Sequence, residues 1–243
     1  FTAFAEFSNL LNASNIKSHI PTTVSNKLYF YFCFGVVNAH FKYHIEANKC
    51  FRRCLKEVES VKMNSEIEQL IGEVYFRLAI SLRACRDYTE SILYFQKAIS
   101  NPPKSLHLDD IYIQIAYTLH KSGQTLESLK LYRDIYYRHQ NNLFAILQYA
   151  YSLISTNNTG IDFNRNNFDE GVRLLQNNLI QFHNDPRILI LLGRAKMIEK
   201  DYNSAYSYFK DAINYCCNDS VFWCNLGILY SKNNQQEDAL VAF

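Results

Sequence analysis

Glycine and proline are scarce in this chain, 7 and 4 residues in 243. An all-β protein of that length needs a turn roughly every ten residues, built from residues that accept positive φ or fix it, so the scarcity argues against that class. No alternation of apolar and polar residues lasts long enough to compete with a helical period. Long apolar runs are missing too. The longest aromatic-rich stretch, Leu28 to Val37, is too short to cross a bilayer and reads as a buried helix. Charge of one sign is also lacking, with a net charge of +2 and 20% charged residues without long runs. A nucleic-acid groove needs a basic stripe, whereas the small patch Arg52-Arg53 and Lys56 reads as a solvated helix face. Neither a membrane nor a nucleic acid is expected as a direct partner. There is no phosphate-binding loop, nucleophile elbow, HExxH or dinucleotide fingerprint. No catalytic residue, cofactor or metal ligand is therefore assigned, and the chain is read as non-enzymatic, with the content of any further domain left open.

What is abundant points to helices. Hydrophobic residues make up 48% and aromatics 15%, which suits helices that pack on both faces. The last stretch spaces Trp223, Leu226, Gly227, Tyr230, Ala239 and Phe243 in an order that Leu192, Gly193, Ala205, Phe209 and Ala212 repeat. Gly193 and Gly227 stand 34 apart, as do Ala116 and Ala150. That order and period are those of the tetratricopeptide (TPR) helix pair. Ala79 and Gly35 continue the series at gaps of 37 and 44. The first excess falls in Asn101-Pro102-Pro103-Lys104-Ser105, and the second predicts a longer helix near Val58 to Gln69. The gap of 43 between Ala150 and Gly193 holds an Asn-rich segment with Thr159-Gly160, an expanded turn.

The reading is thus an all-α fold, a right-handed TPR superhelix (α-solenoid) of about five full repeats with partial repeats at both ends. It is taken as a single domain over 1–243. A partial helix at 1–12 precedes repeats over 28–60, 72–102, 109–140, 143–183 with an inserted turn at 155–167, and 186–217; a partial repeat follows at 220–243. The start at Phe1, beside Phe4 and Phe7 on one apolar face, and the stop at Phe243 predict a piece of a longer protein.

Each column has a physical cause. Two helices approach closely only where small side chains meet, hence Gly35, Ala79, Ala116, Ala150, Gly193 and Gly227 in the first helices. Ala47, Ser91, Ser128, Gly171, Ala205 and Ala239 face them from the second helices. Phe51, Phe95, Tyr132, Leu175, Phe209 and Phe243 then fill the space between successive pairs.

The remaining polar features read as architecture. Among 7 cysteines, Cys54 shares a column with Ala98 and Ala212, a small core position. His40, His44, Cys50 and Cys54 form the one metal-like grouping, without the tight turn of a zinc finger. Adjacent Cys216-Cys217 fit a reducing compartment. Asp87-Tyr88 and Asp201-Tyr202 recur just before a second helix, and Asp109-Asp110 and Glu237-Asp238 also mark helix starts, where carboxylates favour the positive end.

In such a stack the first helices line the concave wall, and residues three before and one after each small position face it. The partner-binding groove is accordingly assigned to Phe32, Phe76, Ile113, Tyr117, Leu147, Tyr151, Ile190 and Arg194, with Cys224, Val36, Ile80 and Ile228 completing the two columns. This wall is mostly apolar and aromatic, and suits an amphipathic helix or extended hydrophobic segment. Apart from Arg194 it lacks the lysines, arginines and asparagines with which TPR co-chaperones hold acidic tails. A neighbouring column, Cys33, Arg77, Gln114, Gln148, Leu191 and Asn225, lacks the asparagine ladder of the O-linked GlcNAc transferase.

Several segments resemble a narrower group. Gly72 to Leu78, the Pro102-Pro103 insertion before Asp110-Ile111-Tyr112, Leu192-Gly193-Arg194, Met197-Ile198 with Asp201-Tyr202, and Phe222 to Tyr230 are similar to the TPR array of the fungal general transcriptional corepressor that works with the Tup-type WD-repeat protein. They also resemble the TPR array of UTX-type histone lysine demethylases. The likeness covers most of residues 28 to 243. It implies a non-catalytic scaffold in the nucleus, with the cytoplasm as second compartment. The implied partners are a WD-repeat corepressor, DNA-binding repressors and histone-modifying complexes. The TPR region of a UTX-like demethylase and a TPR structural subunit of an unrelated large complex stand as alternatives. The Asn-rich turn, the longer link around Lys56 to Gln69, and alanine at 79, 116 and 150 depart from the corepressor pattern.

Overall fold

A computed structural model describes residues 24–59, 64–139, 141–155 and 164–243. Twelve helices and no strands occur among the described residues. The chain divides into two compact units, Phe1–Ser122 and Gly123–Phe243. The first contains α1 (Val24–His40), α2 (His44–Val58), α3 (Ser65–Ala84), α4 (Tyr88–Ser100) and α5 (Leu108–Lys121). The second contains α6 (Thr125–Arg138), α7 (Leu143–Ser155), α8 (Arg165–Gln181), α9 (Pro186–Ile198), α10 (Tyr202–Cys216), α11 (Ser220–Lys232) and α12 (Gln236–Ala242). This is the all-α TPR solenoid class expected from the period. The segment at 1–12 and the centre of the inserted turn lie outside the described residues; α7 ends at Ser155 and α8 already begins at Arg165.

Helix starts follow local chemistry. Asp87 accepts from the Glu90 N–H at 3.4 Å and Asp201 from the Ser204 N–H at 3.2 Å, so the recurring Asp-Tyr pairs are N-caps. Asn64, Asp185 and Asp219 cap α3, α9 and α11 in the same way, at 2.8, 2.9 and 2.8 Å. Asp110 accepts the His107 N–H at 3.2 Å, completing a capping box before α5. Each cap satisfies a donor that the first helical turn would otherwise leave unpaired.

Helix ends share one turn. After α1, α3, α9 and α11 comes a residue with positive φ: Lys42 at 65°, Arg86 at 67°, Lys200 at 63° and Asn234 at 62°. The N–H of the next residue reaches back five positions: Tyr43 to Asn38 O, Asp87 to Leu82 O, Asp201 to Lys196 O and Gln235 to Tyr230 O, at 2.9 to 3.0 Å. This is the Schellman closure, in which glycine is the usual left-handed residue. Here lysine, arginine and asparagine accept the strain.

The small columns bring helices together as expected. A Cβ on Gly35 would stand 2.5 Å from the Phe51 ring, and one on Gly193 would stand 2.9 Å from Phe209. Phe51 and Phe209 are fully buried. Where alanine replaces glycine, Ser91 Oγ donates to Ala79 O at 2.7 Å, so a polar small residue still closes the α3–α4 pair. Gly72 serves a different approach: a Cβ there would overlap the Asn101 carbonyl oxygen, so α3 rests on the link that carries the buried Pro103. Phe243 stands over Gly227 but is 68% exposed, unlike the other members of its column.

Candidate functional site

In the first unit α1 and α3 touch, and two arginines of α3, Arg77 and Arg83, are held by the unit's own residues. Arg77 Nε donates to Glu73 Oε1 at 2.6 Å and its guanidinium lies 5.8 Å from the Phe32 ring centre. Arg83 Nη1 donates to Gln114 Oε1 at 2.8 Å while its guanidinium stands 4.8 Å over Tyr117 and 5.9 Å from Phe95. Phe76 meets Phe95 edge-on at 5.7 Å, so Phe76 and Tyr117 are joined through Phe95 and Arg83. Phe32, Phe76 and Tyr117 are half-buried, but Ile113 is 1% exposed and belongs to the core.

In the second unit α9 touches both α7 and α11, and a cleft of about 300 Å³ opens across these three first helices. Its apolar part is Ile154, Leu191, Met197, Ile198 and Ile228. Its polar part is Arg194, Asn225 and Lys232, with Tyr151 beside them. The Arg194 guanidinium lies 5.3 Å from the Tyr151 ring centre, a cation–π contact. No carboxylate lines the cleft among the described residues, and neither Arg194 nor Lys232 makes an ion pair there. Two cations beside an apolar surface fit a ligand that is part apolar and part anionic.

The structure therefore brings Tyr151 and Arg194 together and withdraws three of the assigned groove residues. Ile113, Leu147 and Ile190 are 1%, 6% and 8% exposed, and Ile190 packs in the cluster of Phe209 and Phe222. The column three before each small residue lies about 40° round the helix from the column one after it. Across that small angle Val36, Ile80, Tyr117, Tyr151 and Arg194 stay half-buried and Ile228 is 41% exposed, whereas three of the six in the earlier column are covered and Phe32, Phe76 and Cys224 are not. Lys232 was missed by the sequence reading. Its signal was the i, i+4 spacing from Ile228, which puts both on one helix face.

Of the metal-like grouping, the two cysteines are taken up by packing, whereas His40 is exposed. Cys54 Sγ donates to Leu28 O at 3.4 Å, and Ser81 Oγ donates to His44 O at 3.1 Å. Burial pushes the Cys50 thiol up to about 11 and the Cys54 thiol up to about 12, which disfavours the thiolate that a metal requires. Among the described residues no cluster of three or more His, Cys, Asp or Glu side chains could hold a metal, and no helix is long and apolar enough to cross a membrane.

Comparison with known proteins agrees with this fold. Two tetratricopeptide-repeat family models match, one over residues 72–105 and one over 208–241. The chain is similar to a thermophilic TPR protein from Thermus thermophilus, with TM-score 0.60, 16% identity, and 70% of this chain and 87% of that one covered. It is similar to a tetratricopeptide repeat protein from Parabacteroides merdae, with TM-score 0.61, 12% identity, and 88% and 77% covered. The pilF protein of Pseudomonas aeruginosa is a third such structure, with TM-score 0.56, 11% identity, and 90% of each chain covered. At these identities the likeness is one of fold. No curated protein matches the chain. The class defined by helices, columns and matched segments is the all-α TPR solenoid.

Proposed function

We propose that this chain is a non-catalytic protein-interaction scaffold and, within that class, a nuclear adaptor of transcriptional repression. The observation that carries the scaffold reading is the cleft of α7, α9 and α11, an apolar surface edged by two cations without carboxylate partners among the described residues. A partner segment with an apolar side chain next to an acidic one would fit it. The narrower reading draws support from the motifs that resemble the corepressor array: Gly72 and the Asn101-Pro102-Pro103 link, apart in sequence, are one packing unit. The WD-repeat corepressor, DNA-binding repressors and histone-modifying complexes are the proposed partners.

Affinity purification of the full-length protein from its own organism tests both levels. Recovery of a WD-repeat corepressor with histone deacetylases supports the repression reading. Ribosomal, ciliary or chaperone assemblies without chromatin proteins would overturn it and leave the scaffold. A folded Arg194→Glu/Lys232→Glu variant is expected to lose at least one partner; an unchanged set of partners would remove the cleft as the docking site.

A further inference from the structure

The second unit has another cleft, of about 490 Å³, on a different flank of α11. Whereas α11 sends Ile228 and Lys232 to the first cleft, it sends Tyr230 to this one. Tyr202 and Tyr206 of α10 and Asp238 of α12 join it, with Asn233 and Gln235 from the intervening turn. The Tyr206 and Tyr230 ring centres are 6.3 Å apart at 47°, and Tyr206 is 46% exposed. Asp238 is the one carboxylic side chain in the lining, and no Lys or Arg lines the cleft, among the described residues. Its carboxylate accepts from Gln235 Nε2 at 3.4 Å and makes no ion pair among the described residues. Burial, then Tyr206 and the Asp238 charge, hold the Tyr230 hydroxyl above its usual range, so the phenol stays neutral.

Elsewhere this chain covers tyrosine faces with its own cations. Lys97 stands 4.8 Å over Tyr94, Arg83 4.8 Å over Tyr117 and Arg194 5.3 Å over Tyr151. Among the described residues no cation of the chain stands over Tyr206 or Tyr230, and here a carboxylate lies alongside. We infer that this tyrosine cleft is a docking site for a lysine or arginine side chain of a partner protein. The cation rests on the tyrosine faces and pairs with Asp238, and the side-chain carbonyls of Asn233 and Gln235 can accept its remaining N–H groups. The cleft is chemically opposite to the one edged by Arg194 and Lys232.

Titration of the ¹⁵N-labelled protein with N-acetyl-arginine methylamide, N-acetyl-lysine methylamide and N-acetyl-norleucine methylamide tests this. The two cationic probes are expected to shift the amides of residues 230–238, and the norleucine probe is not. Asp238→Asn should weaken the cationic probes about fivefold. Tyr206→Leu, which keeps apolar bulk without a π face, should act in the same direction. An equal response to norleucine would overturn the inference, and so would unchanged titrations in both variants with spectra otherwise like the parent.

Discussion

The two units share a framework and differ in what their first helices leave open. In each, a phenylalanine lies over a glycine, Phe51 over Gly35 and Phe209 over Gly193, and a left-handed non-glycine residue closes the turn, Arg86 in one and Lys200 in the other. Yet in the first unit Arg77 and Arg83 are engaged by Glu73 and Gln114, while in the second Arg194 and Lys232 meet no carboxylate among the described residues. Both units carry an Asp cap, Asp87 and Asp201, but two first helices differ: Asn64 begins α3, whereas Asp185, pinned by Arg187, begins α9. The framework columns answer to helix packing, and the wall columns answer to whatever the neighbouring turn offers. Repeat chemistry therefore sets the fold without setting the ligand.

The strongest way to break this comparison is to remove the shared aromatic. Phe51→Ala and Phe209→Ala should each cost about 3–5 kcal/mol in the transition of their own unit, followed by circular dichroism in urea. A loss under about 1 kcal/mol at either site would show that the two pairs are not equivalent.

Acid sharpens the difference between the caps. The Arg187 guanidinium beside Asp185 holds its carboxyl below the usual carboxylate range. A depressed carboxyl contributes stability that is present above its unfolded value, about 4, and is lost as pH falls through the lower folded value. Asp185→Asn should thus cost at most about 1 kcal/mol at neutral pH, with the difference from the parent vanishing in acid. Asn64→Ala, which removes an uncharged cap, should cost a similar amount, about 1 kcal/mol, without that acid dependence. Parallel pH profiles for the two variants would erase the distinction.

The smallest expected effect returns to the shared framework. Arg86→Gly and Lys200→Gly relieve a left-handed conformation worth about 1–2 kcal/mol but add unfolded-chain entropy, so each should stabilise by roughly 0.5 kcal/mol. Thermal melts in which one variant gains and the other loses would show that the two turns differ.

The residues alone carried the helix pairs, the small columns with their buried aromatics, and the Asp87 and Asp201 caps, because each depends on spacing along one helix or across one turn. The same spacing placed Ile113, Leu147 and Ile190 on the wall beside Tyr117, Tyr151 and Arg194, and only packing separated them. A period gives an angle about one helix axis and says nothing of how far the next helix reaches over it. Likewise Asp238 was a helix start in the sequence and Lys232 carried no role there; tertiary structure put Lys232 beside Arg194 and Asp238 among three tyrosines. The amino-acid order determined which residues repeat. The stacking of neighbouring helices decided which of them remain available to a partner, because exposure is a property of the pair of surfaces and not of either helix.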